Sequence, residues 1–302
     1  MHETGREAKR MAVGSTVPRR LIGRTLKQLR EQSGVPAVKA YRLIDVSPQT
    51  LWRLETGQPG TKVREVDVHA LCRLYGADDD TTAALIGLIA ETKSPGWWHD
   101  YGSAVPSYFD LYLGMEESAR QLTTLHLNLL PGLLQTPSYR RAVIWAAYPG
   151  MPTAEVEQRI EISAKRQQRL NEPPVDFSVV MYICESALRW SVGSPAVMAE
   201  QLRHIVSVSK LPTVSIRVVP LGVATPLPLI VGTFTLMEFP AYADSRLTEP
   251  PLVYVEGFTG ALYLDKPGEL DLYKAAVRTL RTVAKSEQDT RELVLNIAKE
   301  CE

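Results

Sequence analysis

The order of apolar and polar positions divides the chain into two parts. Over residues 19 to 92 apolar side chains recur every three or four positions: Ile22, Leu26 and Leu29, then Leu51 and Leu54, then Val66, Ala70, Leu71 and Leu74, then Leu85, Ile86 and Ile89. That period places each set on one face of a helix and predicts four to five short helices around one core. Beyond residue 120 strand patterns take over. Leu125, Leu127 and Leu129 alternate, and Val175 to Ile183, Val214 to Val219, Thr233 to Phe239, Leu252 to Glu256 and Ala261 to Leu264 are rich in Val, Ile, Tyr and Phe and end at Gly or Pro. Helices are expected between and after them, at Ser138 to Tyr148, from Thr153 onward, Pro195 to Val208, Leu270 to Ala284 and Glu287 to Lys299. Strand runs flanked by helices predict an α+β domain with a mainly antiparallel sheet.

A chain of 302 residues suits two domains. The breaker Lys93-Ser94-Pro95-Gly96 sets the expected boundary. The division is then a flexible basic tail over 1–18, an all-α domain over 19–92, and an α+β domain over 93–302. Between Pro95 and the first strand lie Trp97, Trp98, Tyr101, Tyr108, Phe109 and Tyr112, expected to pack in a core or between domains rather than form an exposed patch.

The most informative stretch runs from Gly34 to Gly57. Ser47 is an N-cap, Pro48 stands where a missing N–H costs nothing, Val46 and Leu51 are spaced for a hydrophobic staple, and Gly57 supplies the stop. On the resulting helix Leu51 and Leu54 share one face, while Gln49, Trp52 and Arg53 share the other with Thr50 at the margin. Two short helices ending in this one read as a helix-turn-helix. The outer residues suit a major groove: Arg bonds guanine bidentately, Gln bonds adenine, and Thr reaches a phosphate or a thymine methyl.

Charge agrees with that reading. Net charge is zero, but residues 1–75 hold 14 Lys and Arg against 7 Asp and Glu, and the remainder holds 20 against 27. A basic amino-terminal part suits phosphate binding, and the acidic body discourages DNA from wrapping the whole chain. Ser47, Arg20, Arg24 and Lys39 are expected near phosphates, with Gln49, Thr50 and Arg53 at the bases. Three scattered cysteines, Cys72, Cys184 and Cys301, point to a reducing compartment, and no signal or membrane-spanning segment is evident. A cytoplasmic protein is expected.

Residues 19 to 75 resemble the Xre-type helix-turn-helix. Residues 96 to 299 resemble the domain of unknown function joined to it in actinobacterial regulators of the WhiJ-like type. The resemblance is carried by Pro131-Gly132-Leu133-Leu134-Gln135-Thr136-Pro137-Ser138-Tyr139, Gln201-Leu202-Arg203-His204, Phe234-Thr235-Leu236-Met237-Glu238-Phe239, Val253-Tyr254-Val255-Glu256-Gly257 and Leu262-Tyr263-Leu264-Asp265, in that order. It implies a transcriptional regulator whose second domain receives a signal, without catalytic activity. It also implies a small acidic BldB-like protein as partner, in some pairs of antitoxin-like character. The sequence departs from the pattern where Pro36 and Ala37 replace the usual Thr-Gln, where Asp45 replaces a turn Gly, and where Trp52 replaces a small polar residue. Trp52 is expected to pack along its neighbours' stems.

Candidate chemistry is thin. No metal or cofactor motif is present, and none of His2, His69, His99, His126 and His204 sits in HExxH, a zinc spacing or a nucleophile elbow. His126, in an apolar strand, reads as structural, and Cys184 as a buried thiol. Two ligand or partner sites stay open. Gln135 and Thr136 precede a helix start that either binds an anion or is simply capped. Tyr254, Glu256 and Tyr263 on adjacent strands either line a concavity or serve as core and surface. The expectation is a homodimer on double-stranded DNA, with no catalytic residues, metal or cofactor. An antitoxin-like interaction module is the alternative, and an enzyme fused to a DNA-targeting domain is the weaker one.

Overall fold

The computed structural model describes residues 16–58, 61–93, 96–241 and 248–302. The expected basic tail therefore lies outside the described residues except for Thr16–Pro18, which open the first helix. The chain forms two compact units. One holds Met1–Asp100, Asp110–Ser118 and Ala241–Glu249, and the other Tyr101–Phe109, Ala119–Pro240 and Pro250–Glu302.

In the first unit, helices α1 (Thr16–Gln32), α2 (Ala37–Leu43), α3 (Pro48–Glu55), α4 (Glu65–Tyr75) and α5 (Asp79–Ile89) surround a core that includes Ile22, Leu26, Ala40, Leu51, Leu54, Val68, Leu71 and Leu85. Each buried Leu, Ile or Val side chain among them contributes about 1.5 to 3 kcal/mol of transfer free energy. Three successive helices end alike, with Gly34, Asp45 and Gly57 in the left-handed region at φ 65°, 52° and 65°. After α2 the N–H of Val46 donates to the carbonyl of Tyr41 at 3.0 Å, and that of Asp45 to Arg42 at 3.3 Å, the bond pair that closes such a terminus. Asp45 thus does the work of the expected turn glycine at a conformational cost.

The boundary expected after residue 92 is not a single cut. Asp110–Ser118 and Ala241–Glu249 group with the first unit. A Cβ on Gly114 would lie 2.0 Å from Thr16 Oγ1, and Glu249 is bonded to α1. Trp98 is buried and donates its indole N–H to Asp110, as expected of a core aromatic.

The second unit is built on six strands: β1 (Gln121–His126), β2 (Ser178–Cys184), β3 (Val214–Val219), β4 (Phe234–Glu238), β5 (Leu252–Gly257) and β6 (Gly260–Leu264), in the order β3-β2-β1-β4-β5-β6. The sheet is mixed, which corrects the mainly antiparallel expectation. β1 runs parallel to β2 and β2 to β3, whereas β4, β5 and β6 follow antiparallel. The reason lies in the connections. Taking Ser107–Ser118 as α6, helices α7 (Pro137–Ala147) and α8 (Thr153–Asn171) carry the chain from β1 to β2, and α9 (Glu185–Arg189) and α10 (Pro195–Val208) from β2 to β3. Helical crossovers return a strand in the same direction, while the two-residue turn between β5 and β6 can only reverse it. The short α11 (Leu227–Val231) precedes β4, and α12 (Pro267–Val283) and α13 (Glu287–Glu300) close the chain.

One sheet face carries Leu125, Tyr182, Cys184, Phe234, Leu236 and Val253 against Leu270 and Leu280 of α12. Among the described residues no helix is long and apolar enough to cross a membrane.

Candidate nucleic-acid interface

Helix α3 is fixed at both ends by its own residues. The Ser47 hydroxyl accepts the Thr50 N–H at 3.1 Å and lies 2.9 Å from the Thr50 hydroxyl. Gly57 closes the other end, where a Cβ would come within 2.6 Å of the Arg20 Cα on α1. The helix also presses on α1 at Gly23, where a Cβ would lie 2.2 Å from the Leu54 carbonyl oxygen. A partly buried pair adds direction: Arg30 donates to both oxygens of Glu55, at 2.6 and 2.8 Å. With Leu51 and Leu54 buried, the other side of α3 faces outward, and Gln49, Thr50, Trp52 and Arg53 are exposed. Trp52, 55 % exposed, belongs to this outer surface.

The sequence-expected phosphate contacts separate into two groups. Lys39 on α2 is exposed and has no ion pair among the described residues. Arg20 and Arg24 on α1 are held instead by Glu249, whose carboxylate accepts from Arg20 Nε at 2.8 Å and from a terminal nitrogen of Arg24 at 3.0 Å. Arg24 also donates to the Thr248 carbonyl at 2.8 Å. Arg19 is likewise turned inward, donating to the carbonyls of Thr61 and Thr92, and burial lowers its pKa. Part of the positive charge counted in the sequence is therefore structural. Sequence reasoning missed Arg42, which is exposed three positions after Lys39 on α2 and extends the same basic surface. Its spacing from Lys39 was the available signal.

In the second unit, Gln135 and Thr136 resolve toward the structural role. Both are buried. Gln135 donates to the Leu130 carbonyl at 2.7 Å and accepts from Arg140 at 3.2 Å, and the Thr136 hydroxyl caps α7 by accepting the Tyr139 N–H at 3.3 Å. Gln201 of α10, fully buried, clamps the loop by accepting the Thr136 N–H at 2.7 Å and donating to the Leu134 carbonyl at 2.6 Å.

Tyr254, Glu256 and Tyr263 share one sheet face, opposite the face that packs on α12. Tyr254 and Tyr263 are register partners with ring centroids 5.2 Å apart. His126 lies on this face too, and Cys184 on the other, where burial pushes its thiol up to about 11. Cys184, His126 and Glu256 therefore do not converge. Burial, with the nearby Arg166 charge, pushes the His126 imidazole down to about 4. Glu256 is exposed, yet enclosure by protein raises its carboxyl pKa against the opposing pull of Arg140 and Arg166. A separate open cavity of about 580 Å³ beside β2 and β3, lined in part by Lys210, Glu287 and Arg291, holds none of the candidate residues.

The capped helix with its exposed polar face, set on a five-helix core, defines a helix-turn-helix protein. Residues 21–85 match the model of a helix-turn-helix domain. Residues 109–296 match the model described as domain of unknown function DUF5753, and the chain belongs to that family. Comparison with curated proteins and with solved structures gave no match.

Proposed function

We propose that the protein is a sequence-specific DNA-binding transcriptional regulator of the Xre type, acting as a homodimer whose second unit receives a signal from a small protein partner or ligand. The observation that carries this reading is the division of α3, with Leu51 and Leu54 in the core and Gln49, Trp52 and Arg53 outside. In it, α3 enters the major groove, Gln49, Thr50 and Arg53 meet base edges, and Ser47, Lys39 and Arg42 lie near phosphates. Two copies would read half-sites about one helical turn apart. The likeness to WhiJ-like actinobacterial regulators supports the signal-receiving role and a BldB-like partner. The reading assigns no catalytic step to the chain.

The test is binding of the purified protein to the DNA upstream of its own gene, across a salt series, against a scrambled fragment of equal length. Steep salt dependence with a large preference for the upstream fragment is expected. Binding without preference, or none, overturns it.

A further inference from the structure

β3 is an edge of the six-stranded sheet, and α13 with the loop before it covers the later part of that edge. The Val218 N–H donates to the Thr290 hydroxyl at 2.9 Å, and the Val218 carbonyl accepts from the Lys285 N–H at 2.8 Å. At the start of β3 lies the open cavity of about 580 Å³, bounded by the first residues of β2 and β3, the turn after α10 and the first turns of α13. Its size suits a small metabolite. The charged residues that line it are Lys210, Glu287 and Arg291.

Glu287 and Arg291 stand one turn apart on α13 with the acid first, the order in which such residues ordinarily pair along a helix. Among the described residues no ion pair joins them. Ser215 of β3 donates its hydroxyl to Glu287 at 2.6 Å instead. The Arg291 guanidinium is thereby left without a hydrogen bond or ion pair among the described residues. Other arginines of this unit are spent on the fold: Arg217 donates to the carbonyls of Arg281, Ala284 and Lys285, and Arg189 pairs with Glu185 and Glu300. Lys210, just past the end of α10, is exposed, and among the described residues neither its ammonium nor the Ser178 hydroxyl has a partner. The cavity thus holds two uncommitted cations and one acid that a serine already engages, with Leu211 as an apolar wall.

We propose that this cavity binds a phosphate-bearing small molecule, its phosphate between Lys210 and Arg291 and its body against Leu211. Arg291 offers the planar fork that matches two phosphate oxygens, Lys210 a point charge, and Ser178 a hydroxyl donor. A phosphate group, with up to two charges at pH 7 and three strong acceptor oxygens, can meet all three at once. The site deepens the signal-receiving reading of the second unit and rests on it only for an effect on DNA.

The test follows backbone amides in nitrogen-15 spectra of the full chain during titration with inorganic phosphate, with uridine monophosphate and with uridine as the uncharged control, at ionic strength held constant with chloride. Each is taken to about 50 mM, where a site of about 5 mM affinity is nine-tenths filled. Saturable shifts over residues 209–215 and 287–291 are expected with phosphate, with the nucleotide or with both, and none with uridine. Equal affinities would identify free phosphate as the ligand, and a tighter nucleotide would identify a phosphate ester. Arg291→Gln should weaken binding tenfold or more and Lys210→Gln threefold or more, both at an unchanged melting temperature, since neither side chain is bonded within the fold. Glu287→Gln, which removes the negative charge and keeps an oxygen for Ser215, should tighten binding at least twofold. Shifts that stay linear with both anions, uridine shifts that match those of the nucleotide, binding that both cation variants leave intact, or weaker binding in Glu287→Gln overturn the site. DNA affinity at saturation is a separate readout: a change supports the regulatory role, and none removes that role while the binding site stands.

Discussion

The Glu249 carboxylate, 1 % exposed, accepts from Arg20 Nε at 2.8 Å and at the same time from Arg24 at 3.0 Å. A buried carboxylate is tolerated because two guanidiniums meet it, and its removal leaves them facing each other one turn apart on α1. Glu249→Ala is expected to lower the stability of the helical unit by about 3 kcal/mol, the low end for a buried pair because both arginines also reach water. Urea denaturation followed by circular dichroism measures it, and a loss under about 0.5 kcal/mol, the usual surface-substitution range, would show that the pair carries little.

The same pairing separates structural from DNA-facing arginines. Arg20→Ala should lower stability yet leave the salt dependence of DNA binding unchanged. Lys39→Ala should leave stability unchanged and reduce the slope of log affinity against log salt by about 0.9 for one lost phosphate contact. Equal slopes for Lys39→Ala and the parent would remove Lys39 from the interface.

Gly23 tests how closely α1 and α3 approach. In a helix interior, Gly→Ala ordinarily stabilises by about 1 kcal/mol. Here the new Cβ would sit 2.2 Å from the Leu54 carbonyl oxygen and 2.9 Å from the Glu55 carbonyl carbon, both backbone atoms that move only if the helices separate. Gly23→Ala should therefore destabilise, and a raised melting temperature would contradict the close crossing. Gly87 on α5, with nothing within 4 Å, is the control in which the ordinary gain should appear.

Gln201 offers a fourth test. Its amide serves one backbone N–H and one backbone carbonyl of the loop before α7. Gln201→Leu keeps the volume roughly constant but strands both, at about 1 to 3 kcal/mol for each buried group. Thermal denaturation should show the loss. Faster amide exchange at Thr136 would locate it.

How much of this was legible in the sequence depended on the range of the forces involved. The α3 cap, its stop and its two faces rest on residues within one or two turns, and Ser47, Pro48 and Gly57 announced them. Strand positions were also local, though β2 starts at Ser178 rather than Val175, since Val175 is 92 % exposed and Asp176 turns the chain at φ 62°. Strand direction was not local. It follows from the helices between strands, a signal present in the sequence but outweighed by the count of strand runs. Glu249 reaches Arg20 across 229 positions, and nothing near either residue foretold it. Tyr254, Glu256 and Tyr263 were visible through alternation.

His126 gives a pH dependence of defined sign. Its imidazole is ordinarily near 6.5 and is held at about 4 in the fold, so the unfolded chain binds the proton more readily between those values. Its contribution is complete above pH 6.5 and is lost as pH falls toward 4, by at most about 3 kcal/mol. Glu256, whose carboxyl is raised, works the other way in acid, so the two partly offset each other. His126→Gln should flatten the decline between pH 6.5 and 4, measured by urea midpoints at each pH. An unchanged decline would mean that other groups set it.

Arg53 and Leu51 lie two positions apart on α3 and should fail in opposite ways. Arg53 is exposed, so Arg53→Ala should leave the melting temperature in place and weaken specific DNA binding by about 1 to 3 kcal/mol, with little effect on a scrambled fragment. Leu51, 2 % exposed, packs in the helical core, so Leu51→Ala should cost about 2 to 5 kcal/mol of stability and lose DNA binding only as the fold is lost. Denaturation and binding measured on both variants separate the two roles. An Arg53 variant with full affinity for the cognate fragment would take that residue out of the base readout, and a stable Leu51 variant without DNA binding would place Leu51 at the DNA surface.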